Sequence, residues 1–199
     1  MRYSRVSGGG KSIALIGMMG VGKSSVGQCL RRRTGLNLLD TDEVIASSFG
    51  MSIPEIFTEH GEKKFREAET ELLRGMQTEE QMVIVTGGGI VLRKKNVQIL
   101  KKQTVIVWLD GDDETLFARA SRKKNRPLLQ TNNPRKSFSE ILGARRPVYA
   151  NIADIRVDTS VLTDEEVAVA ILAKLRRMNS KPESHISAKT SGCRFRQQN

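Results

Sequence analysis

The sequence predicts an α/β fold in which helices cover both faces of a parallel sheet, and three observations carry that expectation. Apolar runs short enough for buried strands fall at residues 13–16, 36–39, 82–85, 105–109 and 153–157. Helical patterns alternate with them, at 23–33, 42–49, 53–60 leading into 62–76, 94–101, 114–123, 136–150 and 164–178. Such alternation gives parallel strands joined by right-handed crossovers, with ligands bound beyond the carboxyl ends of the strands. The third observation is a glycine-rich stretch, GMMGVGKS, running from Gly17 to Ser24 directly between the first strand and the first helix.

That stretch has the form of a phosphate-binding loop. Gly17, Gly20 and Gly22 let the chain wrap a phosphate with its backbone N–H groups, a path that Cβ atoms would obstruct. The helix starting near Lys23 adds its positive end. Lys23 would reach the β- and γ-phosphates of a nucleoside triphosphate, and the Ser24 hydroxyl would ligate magnesium. A kinase that binds a nucleoside triphosphate is therefore expected.

Asp40 and Asp42 follow the second strand at its carboxyl edge, and a spacing of two in an extended chain turns both side chains to one side. One carboxylate would hold metal-bound water beside Ser24 while the other reaches a substrate hydroxyl; alternatively, Asp42 caps the next helix. The helical pair between Asp42 and Met76 interrupts the strand–helix rhythm and is expected to form a substrate-binding subdomain. In it, Ile53, Phe57 and Phe65 either wall a substrate ring or fill the subdomain core, Arg66 offers a guanidinium, and His60 before Gly61 reads as a helix C-cap.

The third strand carries no carboxylate and runs into Gly87, Gly88 and Gly89, which either present N–H groups to an oxygen-rich substrate or form a tight turn. After the fourth strand Asp110 competes as a metal-supporting acid, although Gly111, Asp112 and Asp113 give it the look of a turn. The polar stretch 123–136, with Pro127 and Pro134, is expected to be a mobile lid. Arg126 begins its RPLL segment and Arg145 follows in ARRPVY. Taken singly, each arginine is by default a solvated surface residue. Together they suit a carboxylate or a phosphoryl group in transfer, because the planar guanidinium fork binds both.

Composition limits the other classes. A chain of 199 residues with 38% hydrophobic content suits one α/β domain. No apolar run reaches the ~18–20 residues that span a bilayer, and the first residues lack a secretion core, so a cytoplasmic setting is expected. Cys29 and Cys193 form neither a disulfide framework nor a metal spacing, and Cys29 is assigned to packing. The net charge is +11, but the termini hold +3 each, leaving +5 for residues 12–179. The first 11 residues and a basic tail from 179 to 199 are expected to be disordered. No recognition helix, zinc-finger spacing or RNA-binding motif supports a nucleic-acid partner.

The ordered set GMMGVGKS, LLDTD, SIPEIF followed by EHGEKKFREAE, TGGG, NRPLL and RRPVY resembles shikimate kinase over about residues 12–178. The resemblance implies a three-layer P-loop kinase fold with a five-stranded parallel sheet, a helical substrate-binding insertion and a mobile lid. It implies transfer of the γ-phosphoryl of ATP to the 3-hydroxyl of shikimate, with Mg2+, by a monomer. Carried over residue by residue, the nucleotide set would be Gly20, Val21, Gly22, Lys23, Ser24 and Ser25, with Arg119 stacked on adenine and Arg126 meeting the phosphoryl group as the lid closes. Asp40 would support magnesium with Ser24. Asp42 would hold the shikimate hydroxyls, Arg66 and Arg145 would grip its carboxylate, and Glu69 would buttress Arg66 from three residues along the helix. Gly88 and Gly89 would complete the hydroxyl contacts, and Ile53, Phe57 and Phe65 would line the ring. One rival is a gluconate kinase of the same fold, whose acceptor is also a polyhydroxy acid; another is a non-catalytic nucleotide-binding or nucleic-acid-associated protein that keeps a P-loop.

Overall fold

The computed structural model describes residues 10–76, 80–122 and 127–180. β1 (Ser12–Ile16), β2 (Asn37–Asp40), β3 (Met82–Val85), β4 (Thr104–Asp110) and β5 (Ile155–Asp158) all pair in parallel, in the order β2-β3-β1-β4-β5. Successive side chains of a strand face opposite ways. Ile13 and Leu15 therefore meet Val26 and Leu30 of α1 (Lys23–Thr34) and Ile171 of α8 (Asp164–Asn179) on one face. Ala14 and Ile16 meet Leu73 of α4 (Gly61–Gly75), Leu100 of α5 (Lys94–Gln103) and Tyr149 of α7 (Pro134–Ile152) on the other. Burial on both faces explains why the central strands read as unbroken apolar runs.

Between β2 and β3 lie α2 (Thr41–Phe49), α3 (Ile53–Glu59) and α4, with a small core of their own around Ile45, Ile56 and Phe65. Each boundary has a local cause. The Asp40 side chain accepts from Asp42 N to start α2; Gly50, at φ 64°, ends it; Ser52 and Glu55 form a reciprocal capping box on α3. His60 is the C-cap of α3, as expected, and Gly61 follows at φ 76°.

Two expectations need correction. Residues 153–157 were to form the last strand, but α7 continues to Ile152 and β5 begins only at Ile155, because Asp154 is held across to β4: its N–H donates to Ile106 O and its carboxylate accepts from Ile106 N. Within the stretch 123–136, the described residues from 127 on are more structured than a polar loop. Residues Pro127–Leu129 form a 3-10 turn whose Leu129 is buried in the main core, and α7 begins at Pro134, capped by Asn133. The α6 helix (Asp113–Ser121) precedes this stretch. Arg126 lies outside the described residues, as do residues 1–9 and the tail from 181. Cys29 is buried, as assigned. Among the described residues, no helix is long and apolar enough to cross a membrane.

Candidate active site

The carboxyl edge of the sheet brings most of the predicted residues to two adjoining cavities, though Val21 and Glu69 line neither. The larger, about 860 Å³, opens between the β1–α1 loop and the ends of β2 and β3. Gly20 and Gly22 have φ of 86° and 90°, in the left-handed region. A Cβ on Gly20 would lie 2.4 Å from the Leu116 carbonyl, so both conformation and space require glycine there. Lys23 sits at the start of α1, its Nζ donating to Gly17 O at 2.8 Å and Met18 O at 3.1 Å. Lys23, Ser24 and Ser25 line the cavity. Val21 differs: its side chain is buried in the core, so only its backbone is available to a nucleotide.

Ser24 Oγ donates to Asp40 Oδ2 at 3.2 Å, which sets a hydroxyl and a carboxylate together at the mouth of the loop. Asp40 and Asp42 do not share one extended strand. Asp40 Oδ1 accepts from Asp42 N at 3.0 Å, turning the chain into α2. It is thus Asp40 that caps the helix, and Asp42 stands in its first turn. Both still line the larger cavity. Asp110 is the residue that does not: it ends β4, 2% exposed, with Oδ1 accepting from Arg146 and Oδ2 from Arg156 at 2.7 Å. It ties α7 and β5 to β4 and is no turn residue; Asp112 caps α6 instead.

The smaller cavity, about 190 Å³, is lined by Ile53, Phe57, Phe65, Arg66 and Arg145 together with Gly87, Gly88 and Gly89. Met19, Asp42, Gly87 and Gly88 line both cavities. Ile53 and Phe57 wall this space while also flanking the insertion core, and Phe65 belongs to that core, so the two readings of these residues coincide. Arg66 and Arg145 are each 8% exposed, unlike ordinary surface arginines.

Arg66 is held from both directions along α4. Its Nη1 donates to both oxygens of Glu69, each at 2.9 Å, while Nε and Nη2 donate to Glu62 Oε1 at 3.1 and 2.9 Å. Burial pushes the Glu69 carboxyl up to about 7, against the pull of Arg66 and with a further push from the charge of Asp42. The glycines after β3 are required by close approach. A Cβ on Gly87 would lie 2.6 Å from Asp42 Oδ1, and one on Gly89 would lie 2.3 Å from Arg66 Nη2. Gly88 O accepts from the Tyr149 hydroxyl at 2.5 Å, and Gly87 N donates to Thr41 Oγ1, which binds this run to both neighbouring elements. Arg119 lines the larger cavity and donates from Nη1 to Thr159 O at 3.1 Å.

Sequence reasoning missed Glu62, Met19, Arg122, Leu128 and Tyr149, all at or beside these cavities. Glu62 and Tyr149 had a signal: each stands four residues from a candidate arginine, on the same helical face. Met19, Arg122 and Leu128 had none, since only the folded chain brings them to the cavities.

This arrangement agrees with what the chain is similar to. The shikimate kinase family model matches residues 19–176. The chain belongs to the shikimate kinase family. A shikimate kinase of Thermodesulfovibrio yellowstonii is 43% identical over 170 residues, covering 85% of this chain and 98% of that one. A shikimate kinase from Acinetobacter baumannii, solved in complex with shikimate, superposes with a TM-score of 0.82 at 34% identity, covering 86% of this chain and 96% of that one. The enzyme from Aquifex aeolicus gives a TM-score of 0.75 at 34% identity over 85% and 98% of the two chains. Membership makes the protein a phosphotransferase of the aromatic biosynthetic route, with ATP as co-substrate and an alcohol group as acceptor. The gluconate kinase and non-catalytic readings give way to it.

Proposed function

We propose a division of labour between the two cavities for the family's reaction, transfer of the γ-phosphoryl of ATP to the 3-hydroxyl of shikimate. The observation that carries it is the position of Asp42, which lines both the larger cavity of the phosphate-binding loop and the smaller one that holds two buried arginines.

ATP takes the larger cavity. Backbone N–H groups from Gly20 to Ser25 cradle its phosphates, Lys23 turns from the loop carbonyls to the β- and γ-phosphates, and Arg119 packs on the base. Ser24 and Asp40 fit a magnesium ion, whose chemistry when bound is to neutralise charge on the phosphate oxygens.

Shikimate takes the smaller cavity. Arg66, aligned by Glu69, and Arg145 grip its carboxylate; Ile53, Phe57 and Phe65 wall the ring; Gly88 and Gly89 contact its hydroxyls. Asp42 accepts a hydrogen bond from the 3-hydroxyl, orients its oxygen toward the γ-phosphorus and takes its proton as the new O–P bond forms and the bond to ADP breaks. Protein does little covalent work in such a transfer, so charge stabilisation by Lys23 and Arg126 accounts for much of the rate. Closing of the 123–136 segment excludes water as the competing acceptor. A monomer and a cytoplasmic setting belong to the same reading.

The test is coupled ADP release with ATP and magnesium, offering shikimate, gluconate or no acceptor to the wild type and to Asp42→Asn. Release that depends on shikimate and falls by about 10²–10⁴ in the variant is the expected result. Equal rates in the two proteins would remove Asp42 from the mechanism.

A further inference from the structure

We propose that Glu62 is a built-in competitor for the substrate carboxylate, occupying the edge of Arg66 that shikimate must take. The inference rests on the reading above that Arg66 grips that carboxylate. Two carboxylates of α4 hold one guanidinium, and their positions differ. Glu69, three residues after Arg66, is fully buried; the Glu62 side chain, four residues before it, is 51% exposed. Glu69 cannot leave without burying an unpaired carboxylate. Glu62 can, because at the surface it exchanges a guanidinium for water with little net change.

The bond pattern points the same way. Glu69 engages only Nη1, whereas one oxygen of Glu62 takes Nε and Nη2, the side-on edge through which arginine receives a carboxylate with two parallel bonds. A Cβ on Gly89 would lie 2.3 Å from Nη2 and 2.6 Å from both Cζ and Nη1, so the guanidinium lies against the glycine run that lines the acceptor cavity, which Arg66 lines as well. An incoming carboxylate thus meets a guanidinium already engaged by Glu62 at its receiving edge, while the buried Glu69 carboxyl holds Nη1. Displacing Glu62 outward frees the edge and removes one negative charge from beside the pocket. Glu62 therefore sets a threshold for shikimate affinity, and it discriminates against ligands too weakly anionic to displace it.

The experiment is calorimetric titration of shikimate, and separately of its methyl ester, into the full chain as wild type, Glu62→Gln and Glu62→Ala. The competition predicts that both variants bind shikimate about two- to fivefold more tightly, the scale of a helix-surface ion pair carrying a second hydrogen bond, while affinity for the ester stays unchanged. A purely supporting role for Glu62 predicts the opposite sign, since a loosened Arg66 would bind shikimate more weakly. Weaker or unchanged shikimate binding overturns the proposal, and so does equal tightening of the ester. If the wild type itself binds ester and acid equally well, the carboxylate grip of Arg66 and Arg145 fails, a result distinct from failure of the competition alone.

Discussion

The two halves of the site are built by different means. The half proposed for the nucleotide is mostly backbone from one contiguous stretch, Gly17 to Ser25, and its shape comes from glycines at positive φ and from the start of α1. The half proposed for the acceptor is assembled from side chains of α2, α3, α4 and α7 around the glycines after β3, and its ionisable groups Arg66, Glu69 and Arg145 are all buried. A backbone cradle tolerates changes of side chain but not of conformation. A buried charge cluster tolerates neither loss of a partner nor an added methyl group, because each group is held by another.

The largest effect is expected where the two halves meet during transfer. Arg126→Ala should cost about 10³–10⁵ in turnover, the range for an arginine that stabilises a transferring phosphoryl group, with modest changes in affinity for either substrate. Single-turnover rates check it, and an unchanged rate would remove Arg126 from the chemistry. Next come two glycine substitutions that separate the halves. In Gly20→Ala the new methyl meets backbone, Leu116 O at 2.4 Å and Ala120 N at 2.9 Å, on a residue at φ 86°. Thermal stability and ATP affinity should fall together, by about 1–3 kcal/mol in stability. In Gly89→Ala the methyl meets only the end of the Arg66 side chain, 2.3–2.6 Å away. That guanidinium would be driven off its carboxylates, so the KM for shikimate should rise about ten- to hundredfold, corresponding to ~1–3 kcal/mol of overpacking, with ATP affinity nearly unchanged. If both variants lost ATP binding alike, the two-part construction would be wrong.

The same difference explains what could be read from the sequence. The nucleotide half was legible because its physics is local: glycine spacing, a strand before and a helix after. The sheet was legible for a similar reason, since strands buried on both faces are unbroken apolar runs. The acceptor half needed the family resemblance, because nothing local brings Arg145 of α7 to Arg66 of α4, or sets Phe57 and Phe65 against a cavity as well as a core. The errors arose at junctions. The sequence suggests an extended chain through Asp40 and Asp42 because the hydrogen bond that instead turns the chain into α2 runs between the two residues themselves. Asp110 was read as a turn residue because its partners, Arg146 and Arg156, lie 36 and 46 positions away. Leu128 and Leu129 sit in a stretch whose polar composition hid them, although Leu129 anchors it to the core.

The gentlest test of the acceptor half is a pH slope. Burial, opposed by Arg66, raises the Glu69 carboxyl from its ordinary 4.5 to about 7. Between those values the folded protein keeps a proton that the unfolded chain has released, so stability contributed by this group is full below about pH 4.5 and declines up to about pH 7, staying flat above. One proton limits the slope to about 1.4 kcal/mol per pH unit. Arg66 stays charged throughout: burial lowers its pKa, but Glu69 and Glu62 more than offset that. Urea unfolding of the wild type at pH 5, 6, 7 and 8 should show the decline, and Glu69→Gln should lack it while losing some stability at every pH through the weakened hold on Arg66. A slope of the opposite sign that disappears in Glu69→Gln would mean that the charge of Arg66 outweighs burial, making the pair a net attraction rather than a strained buttress.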